Sequence, residues 1–299
     1  MSARRALLTG ASGFIGAALT RRLLADGWQV HLVLRPDSAT DALPVGAPDL
    51  HLHRHDGSTL QLVEIMRGAA PDAVFHLASL FLAAHQPQDV ERLVQANLLF
   101  STQLAEAMAQ CGVRLLVNTG TSWEHYEDAD YDPVCLYAAT KHAFSALLQY
   151  YVACHGLRVA TLKLFDTYGP GDSRPKVLNL LKRLANEGRS LAMSPGGQLI
   201  DLVYIDDVLE AYVQAWAMLA EGRQAAPLAE YGVSSGAPLP LRELAELYGR
   251  VSGKTLAIDW GGRPYRPREV MLPWTRCQAL PGWRPRVALA DGLARFHQS

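Results

Sequence analysis

Tyr137 and Lys141 stand one helical turn apart in the stretch Tyr137-Ala138-Ala139-Thr140-Lys141. On a helix that spacing puts a phenol and an ammonium group on one face. A phenol titrates at about 10, too high for efficient proton exchange at neutral pH, and a nearby cation lowers that value by favouring phenolate. Tyr137 can then protonate a carbonyl oxygen, or take a proton in the reverse direction, with Lys141 as the fixed charge. A hydroxyl from a separate strand is needed to hold the carbonyl. Asn118-Thr119-Gly120-Thr121-Ser122, at the end of an apolar run, offers three candidates.

Such chemistry pairs naturally with a dinucleotide, and the N-terminus offers a place for one. Gly10-Ala11-Ser12-Gly13-Phe14-Ile15-Gly16 follows a predicted strand at 6–9 and opens a predicted helix at 14–25. The glycine spacing differs from GxGxxG, and a glycine pattern alone is weak evidence. Its place between strand and helix is what aims backbone N–H groups and the helix dipole at a pyrophosphate. The second predicted strand, 30–34, ends in Arg35-Pro36. An acidic residue there would bond the ribose hydroxyls of NAD, whereas an arginine meets a 2′-phosphate. Arg35 therefore tilts the cofactor toward NADP(H), with NAD(H) as the alternative. Asp56 is a candidate acceptor for the adenine amino group, and equally a turn residue.

The elements that position these residues alternate regularly. Short apolar runs at 73–77, 115–118 and 159–164 read as further buried strands, with amphipathic helices at 89–111 and 136–155 between them. Strand and helix in alternation imply a doubly wound parallel sheet covered on both faces, a Rossmann-type α/β fold. After Gly169-Pro170-Gly171 the pattern loosens. A helix at 176–187, a strand at 199–205, a helix capped by Asp206-Asp207, and helices at 241–252 and 289–296 follow. The expected organisation is a dinucleotide-binding domain over 1–168, to which later segments return, and a smaller, mainly substrate-binding lobe over 169–299.

Composition excludes several classes. A formal net charge of −1 recommends neither nucleic acid nor an anionic membrane as partner. No apolar run approaches the roughly 20 residues that span a bilayer, and the N-terminus enters a strand pattern with no room for a signal peptide. Cys111, Cys135, Cys154 and Cys277 lie far apart without a CxxC pair, which fits neither a zinc site nor a disulfide framework. Buried, reduced thiols in a cytoplasmic protein are expected. His51, His53 and His55 alternate along a strand without partner ligands and read as one face of an exposed strand, so no metal is expected. His76 reads as a packed, hydrogen-bonded histidine.

In order, Gly10-x-x-Gly13-x-x-Gly16, His76-Leu77-Ala78, Asn97, the Thr119 region, Tyr137-x-x-x-Lys141, Tyr168-Gly169-Pro170-Gly171 and Val203-Tyr204-Ile205-Asp206-Asp207 resemble the extended short-chain dehydrogenase/reductases of the NAD-dependent epimerase/dehydratase family. The resemblance covers nearly the whole chain. It implies that Gly10, Ser12, Gly13, Phe14, Ile15, Gly16, Arg35, Asp56, Gly57, Leu77, Ala78 and Lys141 surround the dinucleotide. It implies Tyr137 as acid, Lys141 as its activator and Thr119 as the carbonyl-orienting hydroxyl, with Thr121 as a rival. Ser122, Trp123, Asp166, Arg263 and Arg268 would meet a nucleotide sugar; Trp123 and Tyr126 equally suit simple packing of a lid. The helices at 89–111 and 136–155 form a dimer interface in this family, which implies a homodimer, although their apolar residues also suit a monomer's core.

Departures from the family pattern narrow the reaction. Dehydratases of this family carry Asp-Glu after the catalytic threonine, where this chain has Gly120-Thr121, so dehydration is not expected. Ile200 replaces an arginine that meets the diphosphate, leaving Arg263, Arg266 and Arg268 as candidates, and Asp166 replaces an asparagine. The segments around Thr119 and Tyr137 are most similar to bacterial nucleotide-sugar 4-ketoreductases of the CDP-abequose synthase group. Reduction of a CDP- or dTDP-linked 4-keto-6-deoxyhexose is the expected activity. A nucleotide-sugar 4-epimerase holding NAD and a catalytically silent dinucleotide sensor are the alternatives.

Overall fold

The computed structural model describes residues 3–188 and 190–299. The chain runs through β1 (Arg5–Thr9), α1 (Phe14–Ala25), β2 (Gln29–Leu34), β3 (Leu50–Arg54), α2 (Thr59–Ala69), β4 (Ala73–His76), α3 (Val90–Val94), α4 (Phe100–Cys111), β5 (Leu115–Thr121), α5 (Leu136–His155) and β6 (Arg158–Leu164). It continues through β7 (Asp166–Tyr168), α6 (Val177–Glu187), β8 (Leu191–Met193), β9 (Leu199–Ile200), β10 (Leu202–Tyr204), α7 (Ile205–Ala220), β11 (Leu228–Val233), β12 (Leu239–Pro240), α8 (Leu241–Ser252), β13 (Ile258–Trp260) and α9 (Leu289–Gln298).

Seven strands form one parallel sheet in the order β11-β6-β5-β4-β1-β2-β3, flanked by helices, the Rossmann-type fold expected. Its central strands are closed to solvent on both faces, as their unbroken apolar runs require. On one face Leu7, Val74, Leu116 and Val159 pack with Leu62 and Met66 of α2, Leu104 and Met108 of α4, and Phe144 and Leu148 of α5. Each such buried side chain contributes about 1.5–3 kcal/mol. Trp28 meets Phe75 and Trp216 edge-on. Strand β1 pairs with β2 on one side and β4 on the other, so the winding reverses between β1 and β4. A crevice opens at the carboxyl ends of strands at such a reversal.

The chain divides into two compact, discontinuous units. The first holds the described residues up to Thr121, together with Cys135–Lys163 and Leu209–Tyr231. The second holds Ser122–Val134, Leu164–Val208 and Gly232–Ser299, with three two-stranded pairs: β10 with β7, β12 with β9 and β13 with β8. Residues 122–134 and 164–168 thus belong to the second unit, and 209–231 to the first.

Several elements differ from the sequence pattern. The helix expected at 89–111 begins with a 3-10 turn at Pro87–Asp89 and carries a π turn at Gln95–Leu99, where buried Asn97 faces polar partners. The strand expected at 199–205 breaks at Asp201, whose carboxylate accepts from Ser234 Oγ at 2.5 Å and Ser235 N at 2.8 Å. Asp206 and Asp207 lie inside the first turn of α7 rather than before it. The Asp207 carboxylate takes the backbone N–H groups of Arg286 and Val287, both at 3.0 Å. Strand β11 closes the sheet within a segment that reads as tail, because Glu230 interrupts its apolar run; Glu230 pairs with buried Lys163 at 2.7 Å.

The histidine alternation is not an exposed face. His55 is buried, and His51 and His53 stack on His31 of β2 with centroids 4.6 and 5.3 Å apart. None of the four cysteines is fully buried, and Cys154 is exposed on the outward side of α5, so the expectation of buried thiols is corrected. Among the described residues no cluster is built to hold a metal, and no helix is long and apolar enough to cross a membrane.

Candidate active site

Close backbone approach explains the glycines of the first turn. Gly10 has φ +77°, and a Cβ there would sit 2.5 Å from Ala78 N, in the connection after β4. A Cβ on buried Gly16 would overlap the Gly10 carbonyl. Gly13 donates its N–H to Gly10 O at 3.1 Å and forms the N-cap of α1 with no side chain bonded across it. The N–H groups of the first turn of α1 therefore lack a side-chain cap. Ser12 is exposed, and Phe14 and Ile15 are half-buried at the same end of the helix. A cradle of unshielded backbone at a helix N-terminus, beside the sheet's reversal, fits a dinucleotide pyrophosphate.

Arg35 is exposed past the end of β2, with its Nε 3.5 Å from Asp37 Oδ1. Sequence reading missed Arg54. Its Nη1 donates to the carbonyls of Arg35, Pro36 and Ser38 at 2.8, 3.3 and 2.9 Å, so one guanidinium fastens the loop that presents Arg35. The parallel register pairs Leu34 with Arg54, which is what brings the two arginines together. Asp56 is exposed and acts as a turn residue. Its Oδ1 accepts Ser58 N at 2.7 Å, which holds its pKa below the usual value, and Gly57 follows with φ +97°.

Tyr137 and Lys141 occupy the first two turns of α5, and both are buried. Phe81 meets the Tyr137 ring edge-on with centroids 5.0 Å apart. The start of α5 is held by Asn97. Its Nδ2 donates to Thr140 Oγ1 and Leu80 O, both at 3.0 Å, and its Oδ1 accepts Leu80 N at 2.7 Å and Ser79 Oγ at 3.1 Å. Thr140 donates in turn to Tyr137 O at 2.7 Å. The π turn is what aims Asn97 inward, a common use of such turns beside functional sites. His76 is wholly buried between Thr9 Oγ1 at 2.7 Å and Ser101 Oγ at 2.8 Å. Burial, and then the charge of Lys141, hold its pKa well below the usual histidine value. Thr9 Oγ1 also accepts Ala78 N at 3.2 Å, so Leu77 and Ala78 are held beside the glycine turn.

At the end of β5, Thr119 Oγ1 lies 2.6 Å from the hydroxyl of Tyr212, on α7. Thr121 is buried two residues further on. Ser122 and Trp123 enter the second unit in a 3-10 turn with Glu124, which is wholly buried and was not anticipated. Within that unit the Arg266 guanidinium lies 5.8 Å from the Trp123 ring and Arg268 lies 4.2 Å from the Tyr126 ring. Arg268 also pairs with Asp132, so its charge is already met. Arg263 is exposed and bonds through its backbone to Met193 O at 3.1 Å. Asp166, an awkward carboxylate in sequence, is neutralised by Lys176 Nζ at 2.7 Å.

A seven-stranded Rossmann sheet with this glycine turn and an inward phenol and ammonium one turn apart defines a dinucleotide-dependent protein of the short-chain dehydrogenase/reductase type. The chain belongs to the NAD dependent epimerase/dehydratase family, whose model matches residues 6–227. It is 28% identical to a UDP-glucose 4-epimerase of Mycolicibacterium smegmatis, over 97% of this chain and 96% of that one. It is 25% identical to a CDP-abequose synthase of Salmonella typhimurium, over 96% and 95%. Among solved structures, a Thermus thermophilus UDP-glucose 4-epimerase complexed with NAD is similar at a TM-score of 0.80 and 26% identity, covering 98% of each chain. A Stenotrophomonas maltophila UDP-glucose 4-epimerase shares the fold at a TM-score of 0.87 and 20% identity, covering 99% of this chain and 97% of that one.

Proposed function

We propose that the protein is an NADPH-dependent reductase acting on the C4 ketone of a CDP- or dTDP-linked 4-keto-6-deoxyhexose. When bound along Gly10–Gly16 the dinucleotide supplies the hydride. Tyr137 donates the proton that the reduced oxygen needs, and the Lys141 ammonium favours the phenolate left behind. Asn97, through Thr140, keeps the first turn of α5 in place, so that the phenol meets the oxygen at a set position. Thr119 or Thr121 donates to the same oxygen. Trp123 and Arg263 are assigned to the nucleotide sugar, with the Asp166 carboxylate paired by the Lys176 ammonium.

One observation carries the choice of a net reductase: the loop after β2 presents Arg35 and is fastened from beneath by Arg54. Two guanidinium groups at the ribose end suit a 2′-phosphate, and NADP(H) is the cofactor of a reaction that consumes reductant. Gly120-Thr121 adds that no carboxylate follows Thr119 to move protons during loss of water. The second reading is an NAD-dependent 4-epimerase. Asp37, 3.5 Å from Arg35, favours it by partly cancelling that charge, as does the similarity to 4-epimerases.

A panel of 4-keto-6-deoxy nucleotide sugars, assayed with NADPH and with NADH, decides between them. The expected result is one NADPH oxidised per sugar reduced. Purified protein that carries stoichiometric NAD and interconverts 4-epimers without consuming NADPH would overturn the reductase.

A further inference from the structure

Leu80-Phe81-Leu82-Ala83-Ala84 is a run of five apolar side chains in the irregular connection after β4, and none of them is fully buried. Connections are ordinarily polar, and an apolar run left open to water marks a surface that something apolar covers. Phe81 carries most of the information. Its ring is 47% exposed, yet it meets the Tyr137 ring edge-on with centroids 5.0 Å apart. An open phenyl group therefore lies against the buried phenol of α5. The contact is held from both sides. Leu80 N donates to Asn97 Oδ1 at 2.7 Å, and Leu80 O accepts from Asn97 Nδ2 at 3.0 Å, so the residue before Phe81 is clamped through both backbone groups. The same Nδ2 donates to Thr140 Oγ1 at 3.0 Å, and Thr140 donates to Tyr137 O at 2.7 Å. One buried amide thus fixes the backbone beneath both rings.

Chemistry decides which part of a sugar such a ring can meet. Where Tyr137 protonates the oxygen on C4, the groups nearest to its neighbour Phe81 are those on C3 and C5, the two carbons bonded to C4. C3 carries a hydroxyl, which against a phenyl ring loses its hydrogen bonds to water and gains none. C5 carries C6, a methyl group in a 6-deoxyhexose and a hydroxymethyl group otherwise. Only the methyl group gains by leaving water for an aromatic surface. We propose that Phe81 is a specificity-determining residue: the wall that receives the C6 methyl group and selects 6-deoxy over 6-hydroxy nucleotide sugars. Asn97, through Leu80, is what sets that wall beside the proton donor. The inference rests on the reading above that Tyr137 acts on the C4 oxygen, and it names the residue that selects the substrate class.

The test uses the full-length protein saturated with NADPH, which cannot reduce a sugar that already bears a 4-hydroxyl. Calorimetry then gives the Kd for 6-deoxyglucose and for glucose, each linked to dTDP, with the CDP and UDP pairs alongside. The parent is expected to bind the 6-deoxy member about tenfold more tightly than its 6-hydroxy partner, the scale on which an apolar pocket discriminates. Phe81→Ser should weaken the 6-deoxy member by about tenfold and the 6-hydroxy one by less than about threefold. Phe81→Leu, which stays apolar, should keep the preference. The Kd for NADPH should move by less than about threefold in both variants, whereas a ring that covered the nicotinamide would shift it further. Equal losses for the two sugars in Phe81→Ser, a preference that survives that substitution, or a loss confined to NADPH would overturn the inference. Failure of the reductase reading shows separately, as no NADPH oxidised with the 4-keto sugars, and the Kd preference is read in either case. A parent that reduces those sugars yet binds both members of each pair equally refutes the role of Phe81 alone. A parent that binds none of these sugars refutes both.

Discussion

Asn97 Nδ2 donates to Thr140 Oγ1 at 3.0 Å, and the same Thr140 oxygen donates to the Tyr137 carbonyl at 2.7 Å. The amide of a side chain on a π turn thus reaches the backbone of the residue that carries the phenol. With Leu80 and Ser79 held by the other bonds of Asn97, two separate segments, 79–80 and the start of α5, converge on one buried side chain. Helix α5 has no side-chain cap hydrogen bond at Cys135, and the bonds of Asn97 tie its first turn to the connection after β4.

Asn97→Ala removes the partner of the half-buried Leu80 backbone groups and the donor to the buried Thr140 hydroxyl. The expected cost is about 2–4 kcal/mol of stability, and about a tenfold fall in kcat with KM nearly unchanged. Urea unfolding and steady-state kinetics check the two together. A variant as stable and active as the parent would show that the convergence at Asn97 is incidental.

Much of the candidate site's placement in the fold was legible because its signals are local. Gly10, Gly13 and Gly16 fall between a strand and a helix, and Tyr137 and Lys141 share one helical face, so spacing alone places them. Arg54 and Tyr212 were not legible. Arg54 reaches Arg35 only through the parallel register of β2 and β3, and Tyr212 reaches Thr119 across 93 residues. The same holds within the second unit. His125 stacks on Trp274 with centroids 3.8 Å apart, and Asp128 accepts from Thr275 N and Oγ1 at 2.8 Å, contacts between segments with no shared periodicity. The alternating histidines misled for a related reason: strand period shows which residues share a face, and only the neighbouring strand decides whether that face is covered.

The loop that Arg54 fastens makes cofactor choice testable by charge. Arg35→Asp is expected to raise the Kd for NADPH by about tenfold to a hundredfold, the scale of a lost charge-assisted hydrogen bond, and to leave NADH within about threefold. Arg54→Ala should weaken NADPH less, by untying the loop. Titration by quenching of protein fluorescence at two salt concentrations separates the effects, because the Arg35 contribution is screened by salt. Equal binding of NADPH by parent and Arg35→Asp protein would remove the argument for a consumed cofactor.

Lys163 is closed to solvent and pairs with Glu230 Oε2 at 2.7 Å, joining β6 to the strand that closes the sheet. Glu230→Gln takes the charged partner at 2.7 Å away from a buried ammonium. Glu230→Gln should therefore cost about 2–3 kcal/mol, toward the low side because a third of the Glu230 side chain is open to water. Replacing both, as Lys163→Met with Glu230→Leu, is expected to recover most of the loss, since apolar residues of similar volume carry no desolvation penalty. Denaturant midpoints measure both. A neutral Glu230→Gln would mean that the other surroundings of the ammonium, not Glu230, satisfy it.

His31 gives the protein a defined acid sensitivity. It is buried on β2, its Nδ1 is 3.0 Å from His53 Nε2, and its Nε2 is 3.4 Å from Gln29 Oε1. Burial, and then the charges of His51, His53 and Arg5, lower its pKa to about 4. The ordinary value is about 6.5, so between those two pH values the unfolded chain binds more protons than the folded one. The stability from a neutral His31 is thus complete above about pH 6.5, falls as the pH drops, and levels off near 4. At about 1.4 kcal/mol per pKa unit the shift sets an upper bound, and the partly exposed His51 and His53 reduce it to about 1–2 kcal/mol. Urea unfolding at pH 7.5 and pH 5 should show that loss in the parent and a clearly smaller one in His31→Gln. If both proteins lose stability equally between those pH values, the sensitivity belongs to other groups and the stacked histidines do not act as a unit.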